Sequence, residues 1–162
     1  MPETYPLDAL LYVRGFREEA AKRRVTSAQF AVKEAHEKIE VAQGQLEAWR
    51  LWREEETERR YQALLGKPTV IEAINRFNAD LGRMAQDELV KLAAVEEART
   101  ALLEAENSLA KAMDDVRKTR KETAKIETHK AIWSEESKKE AERNEEREFE
   151  DLIPLKPVGD ES

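Results

Sequence analysis

The chain has 162 residues, of which 39% are charged and 6% aromatic, and its formal net charge at pH 7 is −7. An acidic chain is unlike a nucleic-acid-binding protein, because phosphate binding requires a basic field. The sequence contains no cysteine, which excludes disulfides and thiolate metal sites, and its richness in charged residues and alanine is typical of long helices rather than of a globular core.

The N-terminal segment has neither the basic region nor the cleavage pattern of a signal peptide. No apolar run in the sequence approaches the roughly 20 residues that a membrane-spanning helix needs. We therefore expect a cytoplasmic protein.

The first predicted element is a helix over about residues 7–64, for which Pro6 suits the first turn. Its apolar residues recur on alternating steps of four and three from Ala21 to Trp49. Such a pattern places side chains on one narrow face of a helix and predicts a coiled-coil seam. The members of this stripe are Ala21, Val25, Ala28, Val32, Ala35, Ile39, Ala42, Leu46 and Trp49.

The start of this helix is apolar over more than one face, which is broader than a single seam requires. This surplus predicts a docking surface. The patch consists of Leu7, Leu10, Leu11, Tyr12, Val13 and Phe16.

A turn over residues 65–69 interrupts the helical pattern. Gly66 suits the left-handed conformation that ends a helix, and Pro68 cannot continue one. Thr69 and Glu72 then match a capping box at the start of a second helix.

The second helix is predicted over about residues 70–150, with Gly82 as a point where it could be interrupted. Its stripe includes charged positions, and neighbouring alanines widen it. A fold at Lys67 places Trp49 opposite Ala85 and Ala21 opposite Met113. The stripe consists of Ala85, Glu88, Leu92, Val95, Arg99, Leu102, Glu106, Leu109, Met113 and Val116, widened by Ala94, Ala98, Ala101, Ala105 and Ala112.

The predicted fold is therefore all-α: a long two-stranded antiparallel coiled-coil hairpin, forming one domain over residues 1–151. Because the second helix is the longer one, residues from about His129 to Asp151 are expected to overhang as a single charged helix. Residues 152–162 are expected to be an extended or disordered tail.

Basic residues face each other near the chain termini in this arrangement. Two interpretations are open: a solvated face with pairs inside each helix, or a basic collar that enters an acidic ring. The residues concerned are Arg14, Arg17, Lys22, Arg23 and Arg24 on the first helix and Lys111, Arg117, Lys118, Arg120 and Lys121 on the second.

The sequence gives no sign of an enzyme, a metal site or a cofactor site. His36 and His129 stand alone, without a metal-ligand spacing, and no glycine-rich phosphate loop is present. A coiled coil also offers no concave pocket in which a pair of carboxylates would be perturbed.

Aromatic and large apolar residues are concentrated near the turn, where Trp49 and Trp52 precede it and Phe77, Leu81 and Met84 follow it. A narrow seam cannot bury all of them. They either cover the end of the seam or form a surface for a partner.

The sequence resembles the YscO-type proteins of bacterial type III secretion over about residues 5–151. The resemblance depends on the Tyr5-Pro6-Leu7 start, the position of the turn, and a late basic stretch that ends in His129-Lys130 and Trp133. That family is similar to the flagellar export protein FliJ and to the gamma stalk of rotary ATPases.

The resemblance implies a central stalk whose terminal end enters a hexameric export ATPase and whose hairpin end reaches the cytoplasmic domain of the export gate. The implied gate-binding positions are Gln45, Trp49, Trp52, Phe77, Leu81 and Met84; two further flagellar positions, an aromatic and a histidine, fall on Glu56 and Glu88. The expected ATPase-docking residues are Leu7, Leu10, Leu11, Arg14, Phe16, Arg117, Arg120, Lys121 and Trp133.

Two other functions remain open at this point. A coiled-coil chaperone or escort for secretion chaperones or their clients would also use exposed apolar ends. A structural spacer or a dimeric coiled coil would need no docking surface.

Overall fold

The computed structural model of the chain describes residues 4–66, 68 and 70–153. Within these ranges the chain forms two α-helices and no strand: α1 spans Asp8–Leu64 and α2 spans Ile71–Leu152. The predicted all-α helical hairpin is confirmed. Neither helix holds a segment long and apolar enough to cross a membrane, as far as the described residues go.

The beginning and the end of α1 follow from local sequence. Ahead of the helix, the Asp8 amide donates to the Tyr5 carbonyl at 3.1 Å, so Pro6 lies in the turn that precedes the first helical residue. Gly66 has a φ of 77°, which confirms the predicted left-handed residue after the helix.

The start of α2 is described only in part, because Lys67 and the predicted N-cap Thr69 lie outside the described residues. Glu72 occupies the first turn of α2, where a carboxylate interacts favourably with the helix dipole. The alternative of an interruption at Gly82 is wrong, since α2 is continuous through it.

The chain divides into two compact units. Unit 1 combines the described residues up to Lys22 with those from Asp114 onwards, and unit 2 runs from Arg23 to Met113. In each unit, a segment of α1 is paired with a segment of α2.

The seam of unit 2 alternates small and large residues. On α1, Ala35 and Leu46 are buried, and the other members of the predicted stripe within this unit are half-buried, which confirms the prediction for that helix. Alanine at every second position lets the two helices pack closely while the larger residues fill the space between the alanines.

On α2, the predicted stripe is half correct. Met84, Ala98, Ala105 and Ala112 are buried or half-buried, whereas their neighbours at the next position, Ala85, Arg99, Glu106 and Met113, are exposed. Three of the five alanines predicted to widen the seam, Ala98, Ala105 and Ala112, therefore belong to it, while Ala94 and Ala101 are exposed. Two of the predicted charged interruptions face solvent. Consecutive residues of a helix point about 100° apart. An error of one position therefore assigns a solvent-facing residue to the seam. The buried and half-buried members shared by both patterns are Glu88, Leu92, Val95, Leu102, Leu109 and Val116.

The predicted register about Lys67 is also displaced. In unit 2, Arg50 contacts Glu88 at 2.9 Å. In unit 1, Asp8 contacts Lys130 at 2.9 Å. The residues of each pair are equidistant from position 69 rather than from 67, so these contacts are displaced by two positions from the predicted register.

Unit 1 has a more polar seam than unit 2. Leu11 and Ala21 continue the stripe on α1, but Arg14 and Glu18 stand between them and are half-buried. On α2 the facing stretch contains Thr119 and Thr123.

The unpaired extension of α2 begins later than predicted. His129, Lys130 and Trp133 contact the start of the chain instead of overhanging. Ser137 is the last half-buried residue, and every described residue from 138 to 153 is exposed. Residues 154–162, which make up most of the predicted tail, lie outside the described residues.

Candidate docking surfaces

Two tryptophans form an exposed aromatic pair on α1 in unit 2. The ring centroids of Trp49 and Trp52 are 6.5 Å apart. Trp49 is half-buried, as a seam position should be, while Trp52 is 47% exposed. The guanidinium carbon of Arg53 lies 5.4 Å from the centre of the Trp49 ring, within the range of a cation–π interaction.

The same arginine links this pair to α2. Arg53 forms an ion pair with Glu88, and Arg50 Nε donates to Glu88 Oε1 at 2.9 Å. Glu88 thus has two cationic partners at a seam position, which offsets the cost of removing its charge from water. Arg53, which contacts the Trp49 ring, is therefore held in place by its ion pair with α2.

The remaining predicted gate-binding residues occupy different environments. Met84 is buried, with its sulfur 3.8 Å from Thr57 Oγ1. Phe77 and Leu81 are half-buried, and Gln45 is exposed. Of the six residues, only Gln45 and Trp52 are exposed, and the others are half-buried or buried.

Sequence reasoning missed an ionic network around the buried Glu56, close to the turn. Glu56 is 8% exposed and accepts hydrogen bonds from Arg59 at 2.6 Å and from Arg60 at 2.8 Å. Arg60 also bonds Asp80 on α2 at 2.8 Å, and Asp80 accepts from Arg83 at 2.9 Å.

The hydrogen bonds from Arg59 and Arg60 lower the pKa of Glu56, and burial of the carboxyl opposes them only in part. A sequence signal for this network exists. The steps of four and three continue beyond Trp49 to Arg53, Glu56 and Arg60, but the charges at those positions hid the seam.

Sequence reasoning also missed a group of exposed apolar residues around the turn itself. They lie within the last turn of α1, the connection and the first turn of α2, and each is between 44% and 74% exposed. Such a concentration exceeds the scattered apolar residues of an ordinary surface and marks a site of interaction. The group consists of Tyr61, Leu65, Val70, Ile71 and Ile74.

In unit 1, Tyr5 is enclosed by three residues of α2. Its hydroxyl lies 2.5 Å from Nδ1 of His129, and its ring centroid lies 5.3 Å from that of Trp133. The ammonium group of Lys130 is 5.8 Å from the ring centre and also contacts Asp8 at 2.9 Å. Two of the three features that carry the family resemblance, the start of the chain and the late basic stretch, thus meet in one cluster.

The expectation that His129 stands alone is therefore wrong, since this residue is hydrogen-bonded to Tyr5. Among the described residues, no group of three or more histidine, aspartate or glutamate side chains could hold a metal ion.

Ion pairs offset part of the charge of the predicted basic collar. Between the helices, Arg14 pairs with Glu122 and Arg120 with Glu18 at 3.7 Å, and within α1, Lys22 pairs with Glu18 at 3.5 Å. These contacts favour the interpretation of a solvated face over that of an uncompensated collar.

The other predicted docking residues of unit 1 lie mostly at the surface. Leu7, Leu10, Phe16, Arg117 and Lys121 are exposed. Leu11 and Trp133 are half-buried, and Tyr12, at 77%, is the most exposed of the apolar patch at the start of α1.

Comparisons with known proteins identify relatives of this fold. The family model described as type III secretion protein YscO matches residues 7–154. The crystal structure of the type III secretion protein YscO from Vibrio parahaemolyticus superposes with a TM-score of 0.85 at 18% identity, covering 90% of this chain and 92% of that one. The structure of CT670 from Chlamydia trachomatis, described as a YscO homolog, gives a TM-score of 0.74 at 24% identity, with 93% and 92% covered. No curated protein matches by sequence.

Proposed function

The chain belongs to the YscO family of type III secretion proteins, and from this premise we propose that it is the central stalk of a bacterial type III export apparatus. In this role it is a non-enzymatic cytoplasmic protein. It docks in the hexameric export ATPase through unit 1 and contacts the cytoplasmic domain of the export gate through unit 2, so that it couples the two.

The observation that carries this proposal is the excess of apolar surface in unit 2. A two-helix seam buries one stripe per helix, yet Trp52 and the apolar group around the turn remain exposed. Aromatic residues presented on a supported surface are the usual anchors of protein–protein contacts. Arg53 contacts the Trp49 ring and pairs with Glu88, and so connects the tryptophan pair to α2.

Unit 1 supplies the second surface that a coupling protein needs. Tyr12 and Phe16 are exposed on α1, and Arg117 and Lys121 are exposed on α2. Exposed cations raise the rate of encounter with an acidic partner, whereas the apolar residues contribute to its retention.

Gate binding is tested with Trp49→Ala combined with Trp52→Ala. We expect affinity for the cytoplasmic domain of the cognate gate protein to fall at least about tenfold, since removing an aromatic anchor costs more than about 1.4 kcal/mol. Binding is measured by titration calorimetry and helicity by circular dichroism.

The matched control is Phe30→Ala, because Phe30 is an exposed aromatic of α1 in the same unit, at 61%, and lies outside the proposed surface. The control should bind like the parent chain. Equal affinity of the double variant and the parent, or loss of most helicity in the double variant, would remove the tryptophan pair from the proposal.

ATPase coupling is tested by adding the chain to its cognate export ATPase at micromolar concentration. We expect hexamer formation and ATP turnover to rise, and Tyr12→Ala combined with Phe16→Ala to weaken both effects. If neither hexamer formation nor turnover changes with the parent chain, the coupling role is wrong.

The alternative of a chaperone or escort draws on the same exposed apolar residues, particularly those around the turn. The two functions differ in selectivity. A holdase should suppress the aggregation of unrelated unfolded proteins, and a stalk should not. Suppression of citrate synthase aggregation at equimolar chain, without any effect on the ATPase, would favour the alternative.

A further inference from the structure

Tyr5 is buried although it lies outside the two helices. It precedes the first residue of α1 by three positions and is only 4% exposed. The groups that enclose it, on His129, Lys130 and Trp133, are more than 120 residues away in sequence. An aromatic cluster therefore holds the segment that precedes α1 against α2.

The seam of unit 1 is polar, so contacts outside the seam matter for holding its two helix segments together. Between Leu11 and Ala21 the seam positions of α1 hold Arg14 and Glu18, so the hydrophobic driving force that closes a coiled coil is weak along this stretch. Arg14 Nε is buried without a hydrogen-bond partner among the described atoms, which costs further stability.

The threonines of the facing helix add little to interhelical attraction. The hydroxyl of Thr119 donates to the Asp115 carbonyl at 3.0 Å, and that of Thr123 donates to the Thr119 carbonyl at 2.9 Å. Both hydroxyls are thus directed to their own helix rather than to α1. Such bonds to the preceding turn tend to bend a helix and slightly weaken it.

Ion pairs with solvent access also join the helices along this stretch. Arg14 with Glu122, Glu18 with Arg120 and Asp8 with Lys130 join the helices, and in each pair at least one side chain is between 43% and 60% exposed. Pairs of this kind contribute little individually. Between residue 4 and Ala21, the Tyr5 cluster is the main aromatic contact between the two parts of unit 1.

We propose that Tyr5 is a clasp: it holds the first three turns of α1 against α2, and its release opens unit 1 as far as Ala21 while unit 2 stays folded. Release uncovers Trp133 and the inner face of Leu11, which are half-buried in the closed state. The clasp is a property of the chain itself and stands whether or not the chain binds an export ATPase.

The test compares Tyr5→Ala with the parent chain by amide hydrogen exchange read out on peptides. We expect exchange over residues 8–20 and 122–137 to become about tenfold faster or more, because the released helix segment loses its tertiary support and isolated helices are marginal. Exchange over residues 25–46 and 92–110 should be unchanged.

Two further variants isolate the cause. Tyr12→Ala removes an exposed tyrosine from the same helix and should leave exchange in unit 1 at the parental rate. Tyr5→Phe keeps the ring against Trp133 but deletes the bond to His129, and should accelerate exchange less than Tyr5→Ala does.

A second measurement follows Trp133 directly. The chain has three tryptophans, so Trp49→Phe with Trp52→Phe leaves Trp133 as the only one. Adding Tyr5→Ala to that background should raise the quenching of Trp133 fluorescence by acrylamide. The clasp is wrong if Tyr5→Ala leaves exchange and quenching unchanged, if Tyr12→Ala has the same effect, or if the acceleration spreads equally through unit 2.

Discussion

The two units of the chain use the same pair of helices but hold them together differently. In unit 2, alanines alternate with larger apolar residues over residues 25–49 of α1 and 95–112 of α2, and Leu46 and Val95 are buried there. In unit 1, the same seam positions include Arg14 and Glu18 on one helix and Thr119 and Thr123 on the other, and the helices are joined by ion pairs and by the Tyr5 cluster.

This difference shows that a regular heptad pattern is not required along the whole length of a helical hairpin. Burial of apolar surface along the seam distributes the cohesion of unit 2 over many contacts. Unit 1 depends on a few specific contacts, so losing one of them should have a local and measurable effect. Four changes sharpen or break this contrast, beginning with the largest expected effect.

Leu46→Ala should be the most damaging single truncation. Leu46 is a buried large member of the unit 2 seam, and truncation leaves a gap that flanking alanines cannot fill. We expect the free energy of unfolding to fall by about 2–4 kcal/mol, measured by urea unfolding followed by circular dichroism. Leu103→Ala, at an exposed position of α2 in the same unit, is the control and should change it by less than about 0.5 kcal/mol. Similar losses in the two variants would contradict the proposed seam.

Acid should weaken unit 2 through Glu56. Hydrogen bonds from Arg59 and Arg60 lower the pKa of this carboxyl below its ordinary value of 4.5. A carboxyl with a lowered pKa in the folded state stabilises the fold at pH values above its unfolded pKa, and this contribution is lost as pH falls through the folded pKa.

The parent chain should therefore be more stable than Glu56→Gln at neutral pH, and the difference should shrink as the pH falls below 4.5. Urea midpoints of both chains across that range measure it. A difference that is independent of pH would show that Glu56 acts through packing and not through its charge.

Thr123→Val should make unit 1 resemble unit 2. Thr123 is 6% exposed at a seam position, and its hydroxyl bonds only to the carbonyl of Thr119 on the same helix among the recorded contacts. Valine places a methyl group in the seam, and we expect about 0.5–1 kcal/mol of added stability, seen as slower amide exchange over residues 8–20. Faster exchange there would show that the polar seam is better packed than its composition indicates.

Salt should produce the smallest effect, and it should act on residues 8–20 of unit 1 more than on residues 25–46 of unit 2. Raising sodium chloride from about 0.1 M to about 1 M shortens the Debye length from about 10 Å to about 3 Å. The exposed pairs of Arg14 with Glu122 and of Asp8 with Lys130 are then screened. Amide exchange over residues 8–20 should become roughly threefold faster, while that over 25–46 should not. An equal response of both segments would remove the electrostatic part of the contrast.

The candidate surfaces were partly accessible from the sequence. Trp49 and Trp52 stand out because an aromatic pair at this spacing exceeds what one seam can bury, and the structure leaves Trp52 largely exposed. Glu56 could not be found in the same way, because a charged residue at a seam position looks like the end of the seam until Arg59 and Arg60 are seen around it.

The residues around the turn were overlooked for a different reason. Val70, Ile71 and Ile74 fit the apolar pattern of a helix start, and a pattern does not distinguish apolar residues that find a partner from those that do not. Their exposure becomes evident only once both helices are in place.

By itself, the sequence determined the all-α class, the two long helices, the left-handed Gly66 and the seam of α1, because these depend on local propensity and on the periodicity of one helix. The tertiary structure alone decided that the register is centred two positions beyond Lys67, that Ala98 and Ala105 rather than Arg99 and Glu106 line the second seam, and that Tyr5 meets His129 and Trp133. Periodicity defines a face on each helix separately, whereas register is set by which large residues of one helix fit beside the small residues of the other, and that fit exists only when the two are packed together.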